Sequence, residues 1–387
     1  MTTPNARRSR LAAILAAILL PLGLIAGLTA TARPAAGSTP LTQDYGGPYH
    51  LAATFHVPVN ADAIANGWCY DGAVVDPQTH LLYLADAAGK QVTVISPKTG
   101  YVGGIGTGLF TGDGQCHEFD YDQQGPNGTA IYGGDIFAGN GNSHVLGFSL
   151  KTGKLIADVN TGGTFRADEM TVASSGGQHY LVVNNPAESP SPYMSFIALD
   201  KPGYPVAAKF VFTQATGGLE QPRFWDGHLY VSVPQTTQSP AGGEVDELDI
   251  SNLAHIRIIR RFPFTSCQPA GLAIRADGLA AVGCGGPAAT SQKILNLNTG
   301  QATPVNGVPG VDIVDVSGPD FLYVSYGIAE FVIADASGAI LQTFPATPDS
   351  HTVAVDPETG DAWVPQDTSQ GKGVVNLYSP GNGGSGG

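Results

Sequence analysis

The sequence predicts an all-β chain, a seven-bladed β-propeller whose N-terminal strand closes the last blade. Three observations carry this. A weak repeat starts after about residue 66 and recurs at intervals of roughly 40 to 55 residues, the length of a unit of four short strands. The apolar runs are short, as in Val92-Thr-Val-Ile95, Phe321-Leu-Tyr-Val-Ser325 and Val374-Val-Asn-Leu-Tyr378, which suits strands better than helices. Glycines number 52 and charged residues make up only 13%, a composition for many tight turns and few surface helices.

The first segment reads as targeting. Arg7, Arg8 and Arg10 precede an apolar run from Leu11 to Leu28, and Ala30-Thr31-Ala32 supplies a small-residue cleavage site. Residues 1–32 are therefore expected to be a signal peptide, with an uncleaved anchor as the alternative, and the mature protein to be secreted or extracytoplasmic. A linker over 33–48, the propeller over 49–380 and a disordered Gly/Ser tail over 381–387 complete the division. No later stretch is apolar enough to span a bilayer.

The first repeat opens with Asp71-Gly-Ala-Val-Val-Asp76-Pro and the last with His351-Thr-Val-Ala-Val-Asp356-Pro, at the same spacing to the Asp-Pro turn. The units between open at Asn127, Glu169, Gln221, Gln268 and Asp312. Thr-Gly turns, such as Asn298-Thr-Gly300, separate later strands. The last unit supplies three strands only. The lone strand Tyr49–Val57 fits as its missing outer strand, and closure of this kind removes open sheet edges. A six-bladed ring with an irregular segment is the alternative.

The net charge of −14 becomes more negative once the signal's three arginines are removed. Such a surface repels phosphate backbones, so nucleic acid is excluded as a partner, and cations or neutral ligands are favoured. Four cysteines in an exported chain read as two disulfides. Cys267 and Cys284 flank one predicted hairpin and are paired, which leaves Cys69 with Cys116. Free buried thiols are the alternative.

Several motifs resemble the exported bacterial propellers of the YVTN (YncE-like) repeat class: Val92-Thr-Val-Ile95, the Lys-Thr-Gly turns, His351-Thr-Val-Ala-Val-Asp356-Pro, Arg166-Ala-Asp-Glu169, Gly218-Leu-Glu-Gln-Pro222 and Cys267-Gln-Pro-Ala-Gly-Leu272. The likeness covers nearly the whole mature chain and implies the fold, not an activity. A fainter likeness is to gluconolactonase and senescence-marker propellers, which hold a cation at the channel mouth through Glu, Asn and Asp. Asp71-Gly72 and Asn127-Gly128 match their dipeptides, in a different order along the chain.

In a propeller the innermost strands run side by side around the axis, so their first residues converge on one rim. Asp71, Asn127, Glu169, Gln221, Gln268, Asp312 and His351 can all hydrogen-bond, with Glu220 beside Gln221 and Asp168 beside Glu169. Crowded carboxyls repel, so such a rim should take up protons or a cation. Glu169, Asp312 and His351 are the expected metal ligands. Calcium is expected first, and the imidazole admits zinc or manganese as alternatives. Asp71, Asn127, Glu220, Gln221 and Gln268 are the expected ligand-binding residues. A hydrated channel and a metal-free pocket are the competing readings.

The function predicted is binding of a small polar molecule, with a divalent cation, at the channel mouth. If catalytic, the chain would be a metal-dependent lactonase or lyase, with the cation polarising a carbonyl and Glu169 or His351 moving a proton. The alternative is a non-catalytic extracytoplasmic module that holds a protein or polymer. A monomer is expected. Fold alone does not choose among these.

Overall fold

Six repeats each fold into a four-stranded antiparallel sheet and the seventh supplies three strands of another, because strands this short persist only in sheets of three or more with an apolar face. The computed structural model describes residues 49–117, 120–369 and 371–381, and seven such sheets stand in a ring. The expected signal peptide, linker and tail residues 382–387 lie outside the described residues.

From channel to rim, blade 1 comprises Ala73–Val75, Leu82–Asp86, Gln91–Ser96 and Gly100–Ile105. Blade 2 comprises Thr129–Tyr132, Asp135–Gly139, His144–Ser149 and Leu155–Asn160. Blade 3 comprises Met170–Ser175, Gln178–Asn185, Tyr193–Ala198 and Val206–Val211. Blade 4 comprises Pro222–Trp225, His228–Val233, Glu244–Asp249 and Arg257–Pro263. Blade 5 comprises Pro269–Ile274, Leu279–Cys284, Ser291–Asn296 and Ala302–Asn306. Blade 6 comprises Val311–Ser317, Asp320–Ser325, Glu330–Ala334 and Ile340–Pro345. Blade 7 takes Ala354–Val355, Ala362–Ser369 and Lys372–Pro380, and its outer strand is Tyr49–Val57.

The middle strands are buried on both faces because blades stack face to face, and the outer strands alternate between half-buried and exposed residues. Seven apolar clusters hold the ring, each shared by two neighbouring blades. Turn chemistry follows the sequence: Asn296 Oδ1 accepts from the amides of Asn298 and Thr299, at 3.0 Å each, and Gly300 takes the left-handed conformation at φ +79°. Helix is minimal, as expected. Among the described residues only Ala61–Asn66 and the single turn Leu253–His255 form, and no helix is long and apolar enough to cross a membrane.

Ring closure is where the two ends of the propeller meet. Tyr49–Val57 pairs antiparallel with Lys372–Pro380. The Tyr49 amide donates to Gln342 Oε1 at 3.0 Å, and Gln342 Nε2 donates back to the Tyr49 carbonyl at 2.9 Å, which ties the strand to blade 6 as well. Phe55 stacks on Trp363 with ring centroids 5.5 Å apart. The ring therefore has seven blades rather than six.

Both expected disulfides form. Cys267–Cys284 joins the ends of the blade 5 hairpin with a Cα separation of 4.5 Å. Cys69–Cys116 pins the longest inter-blade link, residues 106–128, to the segment before blade 1. That link is held further by Asn60 Nδ2, which donates to the Gly114 carbonyl at 2.7 Å, and by Asp62, which accepts from the Cys116 and His117 amides.

Deleting residues 49–57 removes the pairing partner of the final strand and opens the ring. The truncated chain is expected to lose its cooperative unfolding transition, monitored by calorimetry. An unchanged melting profile would show that closure does not depend on this strand.

Candidate functional site

The backbone ladder fixes which side chains share the channel rim. The amides of Asp71, Asn127, Asp168 and Glu220 donate to the carbonyls of Ala85, Gly139, Asn184 and Ser232. Those four residues return a bond to the carbonyls of Gly72, Gly128, Glu169 and Gln221. Asp71, Asn127, Asp168 and Glu220 are thus equivalent positions at the starts of blades 1 to 4. In blades 3 and 4 this register lies one residue before the openings at Glu169 and Gln221.

Glu169 nevertheless enters the group by leaning sideways. A Cβ on Gly72 would lie 3.1 Å from Glu169 Oε1, so the carboxyl reaches past blade 2 to blade 1. A Cβ on Gly128 would lie 2.6 Å from the Glu169 Cα, so a glycine is needed where the two chains pass. Ligand oxygens of Asp71, Asp168 and Glu169 lie within 4.8 Å of one another. Asp168 Oδ1, Glu169 Oε1 and Asn127 Oδ1 are buried and have no hydrogen-bond partner, at residue exposures of 2%, 7% and 0%. Asn127 Nδ2 donates to the Gln124 carbonyl at 2.8 Å, so its amide oxygen is the end left over.

Two residues from the links complete the mouth. Arg166, 6% exposed, sets its Nε 2.9 Å from Asp168 Oδ2. The Tyr121 ring lies over the guanidinium at 5.9 Å. The Asp122 carbonyl accepts from the Arg166 amide at 2.9 Å and ties the two segments together.

The electrostatics follow from burial. Burial raises Asp71 to about 6 and Asp168 to about 7, against the opposing pull of Arg166. Burial lifts Glu169 well above the usual range, and the Asp71 and Asp168 charges add to the lift. Glu220 is raised in the same way, by burial and then by Asp312, and Asp312 itself rises by burial. Burial works against the Arg166 charge, but Asp168, Asp71 and Glu220 outweigh it and keep the guanidinium protonated. Burial pushes the Tyr121 phenol up to about 12, with Asp71 and Asp312 adding to it.

The remaining sequence-expected residues sit as follows. Asp312 belongs to the same electrostatic group, beside His351, Asp168 and Arg166. His351 stacks on Tyr70 at 4.7 Å and directs Nδ1 at the Asp349 carbonyl (2.7 Å) and Nε2 at the Tyr70 carbonyl (3.2 Å). Both ring nitrogens therefore face backbone carbonyls rather than the carboxyl cluster. Gln221 Oε1 accepts from the Leu272 amide at 2.8 Å, a bridge between blades 4 and 5 within the channel wall. Gln268 has φ +51°, and its side chain lies against Gly286. Asp168, Arg166 and Tyr121 were not among the expected site residues. An arginine two positions before an acidic pair at a strand start was the available signal for the first two. Tyr121 lies in a link outside the periodic pattern and carried none.

No protein-family model and no curated protein matches this sequence. Many solved structures match in shape. The Neurospora crassa Pan2 WD40 domain is 12% identical with a TM-score of 0.61, covering 89% of this chain and 98% of its own. A chain of the Mitotic Checkpoint Complex structure is 12% identical with a TM-score of 0.61, covering 93% and 100%. At this identity the likeness is one of fold, and the chain is a seven-bladed β-propeller with WD40-like structural neighbours.

Proposed function

We propose that this protein is a binding module that takes a divalent cation at the channel mouth and, with it, a small polar ligand. The observation that carries the reading is the trio Asp71, Asp168 and Glu169, whose oxygens lie within 4.8 Å of one another while Asp168 Oδ1 and Glu169 Oε1 are buried without partners. Buried carboxylate oxygens in that state are costly unless a proton or a cation meets them. The donors are all oxygen, which suits calcium, magnesium or manganese over zinc, and His351 has both nitrogens on carbonyls. Two disulfides, and motifs that resemble those of exported YVTN-type propellers, support an extracytoplasmic setting for this module.

Calorimetric titration of calcium into chelator-treated protein is expected to give sub-millimolar binding. Glu169→Gln keeps the shape and removes one charge, and should weaken binding about tenfold or more. If no divalent ion binds the wild type more tightly than about millimolar, the weak end for extracellular calcium modules, the reading is wrong.

The raised carboxyls also set a pH dependence. Their folded values, about 6 for Asp71 and about 7 for Asp168, lie above the roughly 3.9 of an unfolded aspartate. The folded state therefore holds more protons than the unfolded state between these values. The mouth's contribution to cation-free stability should be full below about pH 4 and be lost as pH rises through about 7. Asp246, raised to about 7 by burial and by Glu244, adds to the slope from blade 4. Glu169→Gln should flatten the mouth's share, and saturating calcium should reverse it. Thermal unfolding from pH 5 to 8 in chelator checks this, and a flat or rising profile would count against it.

A further inference from the structure

The trio and Arg166 form one charge group. Three carboxylates and one guanidinium leave it strongly negative by itself, but a bound divalent cation brings the count to neutral. Two positive centres would then stand side by side at Asp168. Arg166 is more than nine-tenths buried, and its Nε makes an ion pair with Asp168 Oδ2 but no aligned hydrogen bond. Three carboxylates leave a calcium ion, which takes 6–8 oxygens, with positions to fill.

We infer that the ligand of this site is a small monocarboxylate, bridging the bound cation and the Arg166 guanidinium. The inference rests on the cation reading above. A planar carboxylate matches the guanidinium fork and supplies oxygen to a hard cation. Glu220, which holds the strand-start position equivalent to Asp168 in the next blade, limits the charge that can enter, so a monoanion is accepted and a dianion is repelled. Binding is ordered: the cation offsets the charge of the trio, without which the carboxyls repel the anion.

The test is titration of the full mature chain with sodium glycolate, with ethylene glycol as the neutral analogue and sulfate as the dianion, with and without saturating calcium. Glycolate should bind only with calcium, and at least tenfold more tightly than ethylene glycol or sulfate. Arg166→Gln should lose at least tenfold in glycolate affinity while calcium binds more tightly, because a neighbouring positive charge is gone. Arg166→Lys, which keeps the charge without the fork, should retain part of the glycolate affinity, and it serves if the glutamine variant does not fold. Calcium binding with no preference for glycolate over ethylene glycol, or glycolate binding unchanged by chelator, would overturn the inference. Failure of calcium itself to bind would sink the cation reading first, and this one with it.

Discussion

Everything in this molecule depends on the pairing of Tyr49–Val57 with Lys372–Pro380. Non-covalent closure of a ring is cooperative, since each interface between blades keeps its geometry only if all the others hold theirs. The strand that closes blade 7 comes from the far end of the chain, so the contact spans the intervening six blades. Gln342 holds both the amide and the carbonyl of Tyr49, so the first strand is stitched to blade 6 as well as to its own sheet. Without that strand the seven inner strands have no fixed common axis, and the side chains at their starts have no common mouth.

The mouth is expensive in isolation. Burial raises Asp71, Asp168, Glu169, Glu220 and Asp312 together, and Arg166 stands among them as a buried counter-charge, with half-buried Arg223 opposing the lift of Glu169. A fold that merely needed a wetted channel would gain by placing serine or threonine at these positions. The stability withheld here comes from the seven apolar interfaces, which are continuous around the ring and leave the channel wall free to carry charge.

Much of the architecture was legible because it repeats. The interval between openings, the Asp-Pro and Thr-Gly turns and the orphan strand at Tyr49 suffice for seven blades and for the place of closure. The rim was legible as a class of residue, not as a register. Asp168-Glu169 and Glu220-Gln221 are consecutive polar pairs, and either member satisfies the pattern; only the ladder to Asn184 and Ser232 separates them. In blade 5 the register shifts between Pro269 and Leu272, so Gln268 does not stand where the spacing puts it. Arg166 and Tyr121 come from links, which obey no period, and contact between links is a property of the closed ring alone.

Gly72 and Gly128 have a consequence for how anything sits in this channel. Seven similar blades offer a guest seven similar poses, and a ring of equivalent acids would hold it without orienting it. By leaving the wall bare at two successive blades, the chain lets one glutamate lie along the circumference and bring blade 3 to blade 1. The rotational degeneracy of the ring is broken at its centre by two missing side chains.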